Sequence, residues 1–191
     1  MDSYSLLTGV GSIYIAPVGT AFTALTATPS GAWRSLGETQ DGVDVEHDEK
    51  IERIRTDQRT GAVKATRTEE SLMVKTKLAE ATLENLADAL GVTVTDTAAG
   101  VGTIGTREIP FYRGAAVEEY AVIIRGYSPY LDGPAQYEIP RGFFGKVDAI
   151  KYEKGKNASI PITFESLEDL NAASAEDRFG RLVAKDAAAL P

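Results

Sequence analysis

One histidine and no cysteine narrow the chemistry open to this 191-residue chain. Without thiols it has no disulfide, no thiolate metal site and no cysteine nucleophile. With His47 alone, no paired-histidine metal site and no two-histidine relay can form. No nucleophile elbow, zinc-protease helix or phosphate-binding loop occurs around it. His47 therefore reads as a surface or interface residue.

Two other constellations have the right residue types. Gly100-Val101-Gly102-Thr103-Ile104-Gly105 fits the spacing of a dinucleotide loop. That chemistry needs a helix directly after the loop, because the helix N-terminus holds the pyrophosphate. Pro110 stands where such a helix would run, so the stretch reads as a loop. Asp41, Asp44, Glu46, Asp48 and Glu49 are dense enough in carboxylate to suggest calcium. A calcium loop sets its ligands at fixed offsets around a mid-loop glycine, and Gly42 comes too early. The adjacent pairs Glu69-Glu70, Glu118-Glu119 and Glu168-Asp169 do not converge, since neighbours on a strand point to opposite faces. No convergent catalytic set is visible. The expectation is a protein that is not an enzyme and needs no cofactor or metal.

The charge balance excludes a further class. Twenty-eight acidic residues against 20 basic ones give a net charge of -8. A protein that grips phosphates normally carries a basic surplus. No stretch approaches the ~20 apolar residues needed to cross a bilayer, so no membrane partner is expected. The N-terminal Met1-Asp2-Ser3-Tyr4 lacks the basic region that opens a secretory signal.

The elements that must position these residues are mostly strands. Ile13-Tyr14-Ile15 is a short one, and 18–32 is a Thr/Ala/Gly/Pro-rich loop before a second short strand at Trp33–Leu36. From Val43 to Glu49 the pattern alternates: Val43, Val45 and His47 on one face, Asp44, Glu46 and Asp48 on the other. Residues 50–61 are charged without a clean period, and read as an extended hairpin or projecting loop. Residues 62–76 form a long strand. One helix is expected from Leu78 to Leu90, with Ala79, Leu83, Leu86 and Leu90 as its core stripe and Gly91 as its left-handed cap. A buried strand spans Glu119–Arg125. Tyr137 and Ile139 lie on a strand ending at Pro140. Lys146–Tyr152 and Ile160–Phe164 form a hairpin, in which Pro161 marks an edge or a gap in the ladder. Residues 171–191 read as a tail or docking arm. The fold class is mainly β: two packed sheets, sandwich- or barrel-like, with one flanking helix and extended loops or arms.

The serial order of these pieces resembles the tail tube proteins of long-tailed bacteriophages. The pieces are GSIYIAPV, the run Trp33-Arg34-Ser35-Leu36-Gly37-Glu38-Thr39, Asp41-Gly42-Val43, IERIRTDQRTGAV, AEATLENLADALG, YRGAAVEEYAVIIRG, KYEKGKNASIPITFESLED and EDRFGRL. None is specific alone. The resemblance covers most of residues 11–183 and implies a structural virion protein. It implies one tail-tube domain over 1–191, with residues 1–10 and 171–191 as candidate arms and 50–61 as a projecting loop. Its copies would form rings, usually hexameric, whose inner sheets join around a lumen and stack into a tube that conducts DNA to the host. The implied partners are the chain itself, the tape measure, tail tip and terminator proteins, and DNA passing non-specifically. The implied location is the virion tail, after assembly in the host cytoplasm. Within that frame Asp44, Glu46 and Asp48 are candidates for the lumen wall. Lys50, Glu52, Arg53, Arg55, Asp57 and Arg59 are candidates for contact with the next ring. The alternatives are a tube ring protein of a contractile injection or secretion system, which would conduct protein inside a sheath, and a β-sandwich carbohydrate-binding module. The second suits a sequence with an aromatic platform, which one Trp and scattered Tyr do not supply.

Overall fold

The computed structural model describes residues 11–128, 133–155 and 157–186. Ten strands and one α-helix occur among them: β1 (Ser12–Pro17), β2 (Arg34–Ser35), β3 (Thr39–Ile54), β4 (Lys64–Leu78), α1 (Leu83–Leu90), β5 (Thr95–Thr97), β6 (Thr106–Glu108), β7 (Glu119–Tyr127), β8 (Pro134–Phe144), β9 (Ile160–Ser166) and β10 (Arg181–Ala184). Eight of the strands make one antiparallel sheet in the order β2-β1-β7-β8-β9-β4-β3, with β10 also on β8. β5 and β6 form a separate two-stranded sheet.

The two layers of the fold come from a fork in β8. Its first half, Ala135 to Glu138, pairs with β10, while Gly142 to Phe144 pair with β9. β7 runs alongside both halves. Gly142 sits at the changeover, where a β-carbon would strike the Glu165 carbonyl and the Phe164 ring. One arm then carries β7 and β1, the other β9, β4 and β3. Their inward side chains share one core: Ile13, Ile15, Val122 and Ile124 from the first, Val74, Leu78, Ile160, Ile162 and Phe164 from the second. Gly11, just before β1, lies so close to Val43 that a β-carbon there would come within 2.9 Å of its Cγ2. The arms thus nearly meet at their far edges.

A second, smaller core lies on the back of β1 and β7. Ala16, Ala121 and Ile123 are covered there by Trp33, with Tyr14 and Phe22 packed against the cluster. The loop expected over 18–32 is therefore a fixed cover. The Trp33 indole N–H donates to the Ala21 carbonyl at 3.0 Å, and Phe22 stacks on the indole. Arg125 donates to the carbonyls of Ala24 (2.9 Å) and Ala27 (2.5 Å), and Gln136 to that of Thr23 (2.8 Å). These bonds pin the loop to β7 and β8.

The helix differs from its expected limits. Leu78 is wholly buried as the last residue of β4, and the Ala79 N–H donates to the Glu38 carbonyl. The chain therefore bends at Ala79 as it leaves β4, and the helix starts only after Thr82, whose side chain caps the Asn85 N–H. Ala79 leaves the core stripe. Leu86 does pack on the main core, but the buried helix residues are Asn85, Ala87 and Ala89, while Leu83 and Leu90 stay half-exposed. Asn85 is buried because it bridges elements. It donates to the carbonyls of Leu36 and Glu80 and accepts from Arg34. Gly91 closes the helix in the left-handed region, with φ 63°, as expected.

Two other expectations change, and the reading of Pro161 holds. Residues 146–152 form no strand; β9 pairs with β4 and β8 instead, and Val147 and Ile150 pack against the core from an irregular segment. Pro161 pairs with Lys77 across β4, while on its other side the ladder with β8 begins only at Phe164, so its missing N–H falls beside a gap. The tail expected over 171–191 contributes a 3-10 turn at Ala175–Asp177 and strand β10, so its described part belongs to the sheet. Residues 1–10 lie outside the described residues.

Candidate assembly surface

β3 and β4 form a single long hairpin that begins in the core and ends in solvent. Two irregularities shape it. At Gln40/Val43 the residues Asp41 and Gly42 bulge out, both with positive φ. Thr76 Oγ1 donates to the Gly42 carbonyl at 2.7 Å and Lys77 pairs with Asp41 at 2.8 Å. The bulge sets the phase that turns Val43 and Val45 inward. The second irregularity, at Lys50/Ile51, leaves Thr68 without a cross-strand residue, and its hydroxyl donates to the Lys50 carbonyl. Such bulges bend and twist a strand.

The outward face near the body carries the acidic stripe. Asp44, Glu46 and Asp48 are all exposed, opposite Lys75, Met73 and Ser71. Glu46 receives a hydrogen bond from Lys75 at 2.6 Å. That bond first, and then the fields of Glu46, Asp44 and Asp48, hold the Lys75 ammonium above its ordinary pKa. The three carboxylates thus converge electrostatically on one lysine, so the stripe is acidic but partly compensated. His47 lies on the other face, exposed, 2.9 Å from Glu70.

Beyond Glu49 the hairpin leaves the core, and residues 50–69 are exposed throughout. Lys50 is tied to Glu69 and Arg67 to Glu49. Glu52 and Arg53 lie on β3, and Arg55, Asp57 and Arg59 in the connection to β4. Their side chains make no hydrogen bond or ion pair among the described residues. Ile51, Ile54 and Val63 are 46%, 50% and 45% exposed. The segment read as an extended hairpin or projecting loop is strand as far as Ile54. β3 also ends the sheet order, so among the described residues its outer edge is unpaired along 16 residues. An open edge of that length is a template for another strand.

The opposite end of the hairpin is occupied by α1. Beside it lies a cleft of about 500 Å³ whose lining includes Arg34, Glu84, Asp88, Val92, Glu118 and Tyr120. Arg34 pairs with Asp88, and burial lowers the pKa of the guanidinium. Burial raises that of the Tyr120 phenol, with the Glu118 charge adding. Glu84 accepts from Arg107 at 2.5 Å, and Arg107 also binds Asp96, which ties the β5–β6 sheet to the helix. The glycine-rich stretch 100–105 connects β5 to β6, with Gly100 bridged to Thr103, and no helix follows it. No metal-binding group of His, Asp and Glu occurs among the described residues, and no helix there is long and apolar enough to cross a membrane.

The phage tail tube protein family matches residues 2–180. The chain belongs to that family. It is a structural component of the phage tail, and the virion tail is its location. No curated protein matches. Among solved structures the chain is similar to one from "Cryo-EM structure of the anti-feeding prophage (AFP) baseplate, 6-fold symmetrised", at 10% identity and a TM-score of 0.44, over 94% of this chain and 95% of that one.

The acidic alternation and the projecting segment were readable from sequence. The free edge of β3 and the cleft beside α1 were not. Both depend on strand order and long-range packing, and only the Arg34 and Glu118 charges flanking apolar runs hinted at the second.

Proposed function

We propose that this chain acts as one tail-tube domain whose copies close into rings, six to a ring, that stack into the tube through which DNA leaves the virion. The observation that carries this reading is the β3–β4 hairpin in a member of the tail tube family. Its free edge is long, exposed and charged, and its far half stands outside any core. In a lone subunit both features are liabilities. In a ring, the edge of β3 is completed by a neighbour, and the projecting half contacts the next ring through Lys50, Glu52, Arg53, Arg55, Asp57 and Arg59. The tape measure, tip and terminator proteins would contact the finished tube.

The stripe Asp44, Glu46 and Asp48 then faces the lumen. A conduit for DNA must not bind phosphates, because each phosphate–cation contact adds salt-dependent affinity. Lys75 lowers the charge of the stripe without reversing it.

Purified protein at high concentration should form rings and tubes by negative-stain electron microscopy. Deleting residues 51–60 should leave a folded subunit and abolish elongation; long tubes from the deletion would remove the hairpin from the stacking contact. Replacing Asp44, Glu46 and Asp48 together by Lys should leave tubes intact and slow DNA ejection. Normal ejection from virions carrying that tube would take the stripe off the lumen wall.

A further inference from the structure

The projecting hairpin needs a surface to land on, and the charge of this chain is arranged to provide one. From Lys50 to Lys64 the sequence sets the bases Lys50, Arg53, Arg55, Arg59 and Lys64 against the acids Glu52 and Asp57, with Lys50 also tied to Glu69 across the ladder. A basic tip therefore stands on a protein of net charge -8. It also shows three half-exposed aliphatic side chains, Ile51, Ile54 and Val63. A matching receptor would combine an apolar floor with uncompensated carboxylate.

The cleft beside α1 has that composition. Ala87, Val92 and Val94 supply apolar lining, and Glu84, Asp88 and Glu118 supply carboxylates. Asp88 and Glu84 are engaged by Arg34 and Arg107. Glu118 makes no ion pair among the described residues, which leaves the rim with an unpaired negative charge. Gly91, at the mouth, holds the chain so close that a β-carbon would lie 3.3 Å from the Glu118 side chain. The helix cap and the Glu118 stem are therefore fixed relative to one another.

The placement of tip and cleft is as telling as their charge. β4 runs from the tip, at Lys64, to the core, at Leu78, over 15 residues. At ~3.3 Å per residue the strand spans roughly 50 Å. α1 follows Leu78 after a short connection through Thr82 and is bound to the same end through Asn85 on the Leu36 carbonyl, while Glu80 in that connection accepts from the Glu38 N–H. Tip and cleft thus lie at opposite ends of the long hairpin, too far apart to meet within one chain. A contact between two different patches of identical subunits propagates head to tail.

We infer that the cleft formed by α1, Val92–Val94, Glu118 and Tyr120 is the receptor for the β3–β4 tip of a second copy of this chain. This rests on the stacking reading above and adds to it the surface that receives the hairpin. The aliphatic residues of the tip cover the apolar floor, and its arginines meet Glu118 and the rim.

The absence of cysteine makes the test clean. Two single-cysteine variants, Arg55→Cys and Glu118→Cys, place one thiol on the tip or at the cleft. Both sites are exposed, so the fold should survive. The variants are mixed under tube-forming conditions and treated with a short bis-maleimide. A covalent dimer in the mixture, and none with either variant alone, is the result expected of a head-to-tail contact. A third variant, Glu153→Cys, replaces Glu118→Cys as the off-site control and should give no dimer with Arg55→Cys. Tubes that form normally without the tip–cleft dimer would overturn the receptor and leave the stacking role intact. Wild-type protein that never forms tubes, or tubes that elongate after deletion of residues 51–60, would overturn the stacking role itself and the receptor with it.

Discussion

The two halves of the β3–β4 hairpin are continuous in backbone and opposite in environment. Near the body, Val43, Val45, Leu72, Val74 and Leu78 turn into a core shared with β9, β1 and β7. Past Glu49 the same ladder continues with no third strand and no buried side chain. The near half is held by burial, the far half by cross-strand hydrogen bonds and surface ion pairs. Burial of a large apolar side chain is worth about 1.5–3 kcal/mol, whereas an exposed ion pair contributes about 0–1 kcal/mol. A two-stranded ribbon with only the second kind of support is marginal in water. The difference teaches that stability and projection are separate duties here, assigned to successive stretches of one ribbon.

Substitutions sharpen this contrast. Phe164→Ala, in the core where β9 meets β4, should lower unfolding free energy by about 3–5 kcal/mol. Ile54→Ala, on the tip, should change it by less than ~0.5 kcal/mol. Urea denaturation of the two variants measures both. An Ile54→Ala loss as large as that of Phe164→Ala would mean the far half has a core of its own, and the contrast would fail.

A smaller effect should appear with pH. Arg141 donates to Glu119 through two hydrogen bonds, at 2.7 and 2.8 Å, and holds that carboxyl below the usual glutamate range. A carboxyl whose pKa is lower folded than unfolded binds more protons when unfolded, so its contribution is complete above the ordinary glutamate pKa of about 4.3. It declines as the pH falls below that value toward the folded pKa. The stability gap between the parent protein and Glu119→Gln should therefore be constant near neutrality and shrink below pH ~4. A gap for Glu119→Gln that widened in acid would contradict the assignment.

Local pattern carried much of the architecture. The Val43/Val45 alternation, the apolar run in β7 and the Ile160/Ile162/Phe164 strand were all legible, because each depends on near neighbours along the chain. The missing pieces depend on distant partners. Ala79 joined the helical stripe by spacing, yet Leu78 was already committed to the sheet. β10 is only four residues long, and its strand character comes from the β8 edge it completes. The cover over 18–33 has a loop's composition, and nothing in it announces the arginine and glutamine of β7 and β8 that hold it down. Of the assembly surface, the charges were legible and the geometry was not. Asp44, Glu46 and Asp48 show their alternation in sequence, but the lysine they converge on sits 27 to 31 positions further along the chain.

The hairpin has a mechanical consequence. Its strands do not stop where the body stops, so a pull on the tip along its length is carried by continuous backbone past the bulge at Lys50/Ile51. The load passes down β4 and reaches β9 across the ladder from Met73 to Leu78. Those hydrogen bonds lie side by side across the direction of pull and must slide together, which resists force better than opening one rung at a time.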